Sequence, residues 1–410
     1  MSHPCPLLTD HPALARREID SSLPLRRGES LQASSLTLRV VMERRAGRGR
    51  GAFTLVELLV TIVIIGILAA MVGVVALGAG QASREANARS AITKIHNLVI
   101  PQYDSYRSRR APLNPELEKA IIQATQSASG RRIRGSMLAE ARLYALRELM
   151  VLEMPDRWSD VLLRPITDPP SAVSPGVPVF LKPAAGTQYG GATPLNEAYR
   201  RHYYNIANSI NSRTGEKNTA DNILDNQGAE CLYMIVMLAT ADGEARGLFP
   251  ESSIGDVDGD GAPEFLDGWG RPINFLRWAP GFESDQQLNA NKLEGNIDQW
   301  IALADSNHDP FDLYRADPLA FALTPLVFSA GPDGEYGIRT VKPGLTWRQV
   351  NVNTTGGTPI GSNNRRVYFA PRLTPFVKIA GDEDGSDAYL GTIRDESAVD
   401  NLHNHQPATR

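Results

Sequence analysis

GAFTLVELLVTIVIIGILAAMVGVVALGA, residues 51–79, decides how the rest of the chain is read. From Phe53 to Ala79 it is about 27 residues of nearly unbroken apolar sequence, with one carboxylate, Glu57, close to its start. A run of about 18 or more apolar residues can cross a bilayer as a helix. Arg44, Arg45, Arg48 and Arg50 stand just before it, and arginines on one flank place that flank in the cytoplasm. A carboxylate inside such a span costs a few kcal/mol to insert, so Glu57 is read first as functional. A secretory signal peptide has an apolar core of only about 7–15 residues, much shorter than this one. A plain membrane anchor fits the length but gives no reason for Glu57.

Phe53-Thr54-Leu55-Val56-Glu57-Leu58-Leu59 resembles the N-terminal signature of type IV prepilins and type II secretion pseudopilins. The resemblance implies that a prepilin peptidase cuts between Ala52 and Phe53 and that the new N-terminal Phe53 is methylated. It also implies that Glu57, fifth in the mature chain, serves filament assembly. The family usually has Gly before the cut; here Gly51 is displaced one position by Ala52. Met42 opens the basic 11-residue string MERRAGRGRGA, which ends at Ala52 and has the length and charge of the family's leader. Residues 1–41 are polar and without periodicity, and no fold is expected there, whether they extend the leader or precede a true start at Met42.

The remaining chain divides into a stem and a head. The expected organisation is a leader (1–52), a transmembrane and stem helix (53–107), a helical elaboration of the head (108–245), a β region (246–345) and a polar C-terminal tail (346–410). Ala86, Ile92, Ile95, Leu98 and Val99 recur at near-helical spacing, so one helix of about 70 Å should run from Phe53 to about Ile100. Pro101 should kink or end it. Gly66, Gly73, Gly78 and Gly80 each weaken that helix by up to ~1 kcal/mol; they read either as close helix packing or as sites of local melting on assembly. Further helices are expected at Pro115–Gln126, Ser136–Glu153, Pro194–Asn211 and Ala220–Thr240, with Gly130-Arg131-Arg132 linking the first two. Residues 164–193, rich in Pro, Gly and Ser, read as an irregular connection. Phe265, Ile273–Trp278 and Leu326–Ser329 read as short strands. The fold class is α+β: a long N-terminal helix packed on a head with a small antiparallel sheet and extra helices.

Two strings in the β region extend the resemblance. Asp267-Gly268-Trp269-Gly270-Arg271-Pro272-Ile273 is similar to a segment of major pseudopilins, with Gly268 in place of the usual Pro, and Phe328-Ser329-Ala330-Gly331-Pro332-Asp333-Gly334 is similar to a later strand and turn. Together they favour the pseudopilin branch over a true pilus subunit. Residues 112–245 have no counterpart in the family.

The chemistry-bearing motif is DVDGDGAPEFLD, Asp256 to Asp267. Calcium takes about six to eight oxygen ligands in a flexible loop. Asp256, Asp258 and Asp260 alternate so that three carboxylates can converge, Gly261 supplies the sharp turn, and the Ala262 carbonyl, Glu264 and Asp267 fall at later ligand positions. Flanking Ile254-Gly255 and Gly268-Trp269-Gly270 argue against the helices of an EF-hand. The plainer reading is a solvated acidic turn. Asp333 is a further candidate ligand through the resemblance alone. Asp305–Asp309 and Asp382–Asp387 read as solvated acidic loops.

The bulk numbers exclude other classes. A net charge of −4 gives no basic footprint for nucleic acid. Of two cysteines, Cys5 lies in the segment to be removed, which leaves Cys231, in an apolar helical pattern, as a buried and unreactive thiol. HExxH, GxSxG and GxxxxGK motifs are all missing and the seven histidines are scattered, so no enzyme is expected. The expected protein is a filament subunit of a type II secretion pseudopilus. It sits in the inner membrane with its leader in the cytoplasm and its head in the periplasm. Its expected partners are prepilin peptidase, copies of itself, other pseudopilins and the secretion machine's inner-membrane platform, and its expected cofactor is calcium. The competing readings are a minor pilin with a calcium-dependent binding head and, more remotely, a surface-tethered enzyme.

Overall fold

The structure, a computed structural model, describes residues 54–182, 186–239, 244–340, 375–376, 378 and 387–406. The leader and the cleavage-site residues Gly51, Ala52 and Phe53 lie outside them.

Helix α1 spans Leu55–Ser105. Side chains from Leu55 to Met71 are exposed along it. Further on, Ala88, Ile92, Ile95, Val99 and Tyr103 recur every three or four residues and are buried in the head's main core. Pro101 does not end the helix. An interior proline costs ~3 kcal/mol, and the last turn is held from outside. The Tyr103 hydroxyl donates to the Leu323 carbonyl at 3.1 Å, and the buried Tyr106 donates to Glu153 at 2.9 Å.

The helical insertion contains α2 (Pro115–Ala124), α3 (Ala128–Glu153), α4 (Trp158–Leu162), α5 (Pro194–Ala207), α6 (Ala220–Leu224) and α7 (Gln227–Ala239). α3 begins eight residues before the expected Ser136 and runs through Gly130-Arg131-Arg132, because Ser127 caps it and accepts from the Gly130 N–H at 3.0 Å. The single helix expected over 220–240 is two helices. Asn226 adopts a φ of +50° between them, a left-handed conformation that asparagine tolerates. The irregular stretch 164–193 is fixed by side chains. Both oxygens of buried Glu148 accept the N–H groups of Val179, Phe180 and Leu181, and Arg200 donates to the carbonyls of Val161 and Gly176.

The β region supplies two small antiparallel sheets. β1 (Ile254–Gly255) and β2 (Glu264–Phe265) form a hairpin with Ile254 opposite Phe265. β3 (Asn274–Leu276) pairs with β4 (Leu326–Ser329), and β4 pairs with β5 (Leu402–His403). Leu232, Ile235 and Val236 of α7 share the main core with Phe265, Ile273, Phe275 and the α1 stripe. Cys231 is buried in a second cluster with Trp158, Tyr199, Tyr203 and Met234, where burial pushes its thiol well above the usual range.

The C-terminal residues 387–406 are part of the fold rather than a polar tail. Leu402 is buried, β5 extends the sheet, and His405 is 3% exposed. The His405 ring is satisfied while neutral: Nε2 faces the Pro325 carbonyl at 3.3 Å and Nδ1 faces Ser284 Oγ at 3.1 Å. Burial pushes both His403 and His405 down to about 4. Their folded values lie below the unfolded one, so the unfolded chain binds more protons on acidification. This contribution to stability is complete above about pH 6.5 and is lost as pH falls towards 4. Between pH 7 and 4.5 the melting temperature of His405→Gln should therefore rise relative to that of the wild-type full-length protein; equal pH profiles in the two proteins would refute the assignment.

Candidate functional site

The start of α1 carries the first candidate residue. Glu57 Oε2 accepts from the Thr54 N–H at 3.0 Å and from its hydroxyl at 3.1 Å, while Thr54 Oγ1 accepts from the Glu57 N–H at 3.2 Å. This reciprocal arrangement is a capping box. It gives Glu57 a local structural use in the single chain, which the sequence reading did not assign. A Cβ placed on Gly66, Gly73, Gly78 or Gly80 would meet nothing among the described residues, so no described residue packs closely against these glycines.

The second candidate is the loop between β1 and β2. Strands flank it, as Ile254-Gly255 implied. Its aspartates fold it by accepting backbone N–H groups. Asp256 takes those of Gly259 at 2.6 Å and Gly261 at 3.1 Å, Asp258 that of Asp260 at 3.3 Å, and Asp260 Oδ1 that of Ala262 at 2.6 Å. Gly261 has a φ of +99°, a backbone state essentially reserved for glycine. The loop is anchored to the insertion: Ser209 and Asn218 donate to the Asp260 carbonyl at 2.9 and 2.7 Å, and Asn211 donates to that of Asp258 at 3.2 Å.

Two overlapping carboxylate groups result. Asp256, Asp258 and Asp260 have ligand oxygens within 4.8 Å of one another, and so do Glu230, Asp258 and Glu264. The sequence reading missed Glu230, which comes from α7 and is fully buried. Its signal was present: it is the one carboxylate in the apolar run AECLYMIVMLA. Burial is the first cause that raises these acids, and their mutual repulsion adds to it. Glu230 is pushed well up, Asp258 up, Asp260 to about 7 and Glu264 to about 8. An all-oxygen, negatively charged pocket of this kind suits a hard divalent cation.

Asp267 does not join the group. Its Oδ1 accepts from the N–H groups of Trp269 and Arg271 at 2.8 and 3.0 Å, and its Oδ2 from the Ser329 hydroxyl at 2.6 Å. It stops short because it closes its own turn and ties that turn to β4. Asp333 is likewise engaged in a separate turn, accepting from the Glu335 N–H at 2.9 Å. Of the weaker clusters, Asp305 pairs with Arg315 and Asp309 pairs with buried Arg147 at 3.0 Å. Asp382, Glu383 and Asp384 lie outside the described residues.

The turn after Asp267 touches the stem. A Cβ on Gly268 would overlap the Arg84 carbonyl of α1. This gives a physical reason for glycine there and leaves no room for the proline usual in the resembling family.

Residues 47–73 match the family model of the prokaryotic N-terminal methylation motif. The motif, followed by the long apolar helix α1, is that of prepilin- and pseudopilin-type proteins; it fits a single-pass membrane anchor and implies processing by prepilin peptidase and assembly into polymers. Neither a curated protein nor a solved structure matches it.

Gly268→Ala should separate the turn from the stem. Overpacking costs about 1–3 kcal/mol or more, so the full-length protein should melt several degrees lower. An unchanged melting curve would mean that the turn and α1 do not touch in solution.

Proposed function

We propose that the mature protein is a structural, non-catalytic subunit of a type II secretion pseudopilus. The observation that supports this branch is the 2.6 Å hydrogen bond from Ser329 to Asp267. It joins the two strings that resemble major pseudopilins into one unit, and Gly268 seats that unit on the stem. The arginines before Phe53 favour a cytoplasmic leader and a head on the far side of the inner membrane.

In the proposed cycle, prepilin peptidase cuts before Phe53. The apolar half of α1 then leaves lipid for a bundle of stems contributed by copies of the chain and by other pseudopilins, on the inner-membrane platform. The Glu57 carboxylate meets the N-terminal amine of a neighbouring Phe53. Removing one member of a buried ion pair leaves an uncompensated charge at a cost of about 3–5 kcal/mol, so the pair favours correct register. The bundle would also give Gly66, Gly73, Gly78 and Gly80 the close neighbours they lack among the described residues.

N-terminal sequencing and mass spectrometry of the mature protein should find Phe53 first, carrying a methyl group. A chain still beginning at Met1 or Met42 would reduce α1 to a plain anchor.

The capping box makes the test of Glu57 sharper. Gln at this place retains the cap but carries no charge, whereas Ala loses both. Glu57→Gln and Glu57→Ala should each insert in the membrane and each fail to form filaments or support secretion. Normal assembly by Glu57→Gln would leave Glu57 only its capping role.

A further inference from the structure

We propose that a calcium ion binds between α7 and the β1–β2 hairpin, held by Glu230, Asp258 and Glu264 with Asp260 beside them, and clamps the helical insertion to the β region. The inference does not depend on the filament reading.

Three buried oxygens carry it. Glu230 Oε1, Asp260 Oδ2 and Glu264 Oε1 are buried and accept no hydrogen bond, and their residues are fully buried. In each carboxylate the other oxygen is held: Glu230 Oε2 by the Trp158 indole N–H, Asp260 Oδ1 by the Ala262 N–H, and Glu264 Oε2 by the Val257 N–H at 3.0 Å. Each group is thus oriented by one oxygen and presents the other. A buried carboxylate oxygen without a partner is costly, and three of them on carboxylates that repel one another are not explained by the turn. The acidic turn uses the N–H groups of the loop itself and has no need of Glu230, which lies on a different element.

The chemistry selects the ion. The set is all carboxylate, with neither histidine nor cysteine, which disfavours zinc. The Glu230, Asp258 and Glu264 oxygens lie within 4.8 Å of one another. Two ligands on opposite sides of a calcium ion, each at ~2.4 Å, are at most about that far apart, so one ion can touch all three. Magnesium keeps several waters and demands near-octahedral geometry, which a buried set fixed by Trp158 and backbone N–H groups does not readily supply. Asp256, by contrast, is exposed and holds the N–H groups of Gly259 and Gly261, whereas half-buried Asp258, which accepts from the Asp260 N–H at 3.3 Å and from Asn226 Nδ2 at 3.2 Å, belongs to both carboxylate groups. The proposed ion therefore sits on the inner side of the loop, shared through Asp258, rather than at the outer position that the Asp256-Asp258-Asp260 spacing suggests.

Trp158 provides the test, since its indole donates directly to one ligand. Full-length protein in detergent micelles, stripped with chelator, should show tryptophan-sensitised luminescence on addition of terbium. Calcium should displace the signal and magnesium should not. Trp158→Phe should abolish the emission while calcium still raises the melting temperature. Glu230→Gln should weaken calcium binding by more than ~100-fold, beyond the range typical for loss of an outer-shell partner. It should also melt higher than the wild type in chelator, because a repelling charge has gone. Asp256→Asn should change affinity less than about tenfold. Loss of binding in Asp256→Asn with normal binding in Glu230→Gln would move the ion to the outer loop and overturn the proposal. Wild-type protein that neither sensitises terbium nor melts higher in calcium would overturn it as well.

Discussion

A charge taken out of water must be met by another charge, by hydrogen bonds or by an ion, and this constraint organises both ends of the molecule. Most of the buried charges in the head are met within the chain. Arg277 faces Asp160 at 2.9 Å and Arg157 faces Asp156 at 3.1 Å. Arg147 bridges Asp309 and Asp317 at 3.0 and 3.1 Å, and Glu148 takes three backbone N–H groups. Such pairs add little net stability over an apolar core, but breaking one is expensive. They therefore fix which elements sit together more than they deepen the energy well. Two places carry no ion pair among the described residues. Glu57, at the head of an apolar span, is met only by the hydrogen bonds of its capping box, and the Glu230, Asp258, Asp260 and Glu264 carboxylates face one another. Under the assembly and the calcium site proposed above, both places draw their partner from outside the chain.

α1 is built for two surroundings. Its first part is apolar on every side, a pattern that suits lipid or a bundle of identical stems equally well. Its second part narrows to the Ala88–Tyr103 stripe and buries that stripe in the head. The change from all-round to one-sided hydrophobicity lies in the sequence itself. A helix of this design can exchange lipid for neighbouring stems without disturbing the packing of its own head.

What was legible in the sequence was local. The apolar run, its single carboxylate, the strands around Phe265, Phe275 and Val327, and the alternating aspartates each show within one continuous stretch. What was hidden depends on distant partners. Pro101 stays helical because Tyr103 and Tyr106 are anchored by Leu323 and Glu153. Glu230 reaches the loop only through the docking of α7, and the spacing of the aspartates says nothing of it. Asp267 fitted the loop's twelfth position, but Ser329, 62 residues on, claims its oxygen. β5 was unreadable because a two-residue strand between polar neighbours has no period; its pairing with β4 makes it a strand.

The insertion between stem and β region poses a last question, because a large helical block in mid-chain ought to displace the elements on either side. It does not, because both of its ends are fastened to α1. The chain leaves the stem at Tyr106, buried against Glu153, and returns where Lys94 donates to the Leu248 carbonyl at 3.0 Å. Lys94 and Tyr106 lie along one stem, so the ends of the insertion are set by a rigid rod. Closing a long excursion costs only slightly more entropy than closing a short one, which makes its length a minor burden. The greater difficulty is orientation, since a block tied only at its ends could swing. The donors Ser209, Asn211 and Asn218 bind the block to the β1–β2 loop at a third point, which restrains its orientation. These polar bonds add direction to the apolar core that α7 shares with Phe265, Ile273 and Phe275, so the inserted helices are held both by burial and by fixed hydrogen bonds.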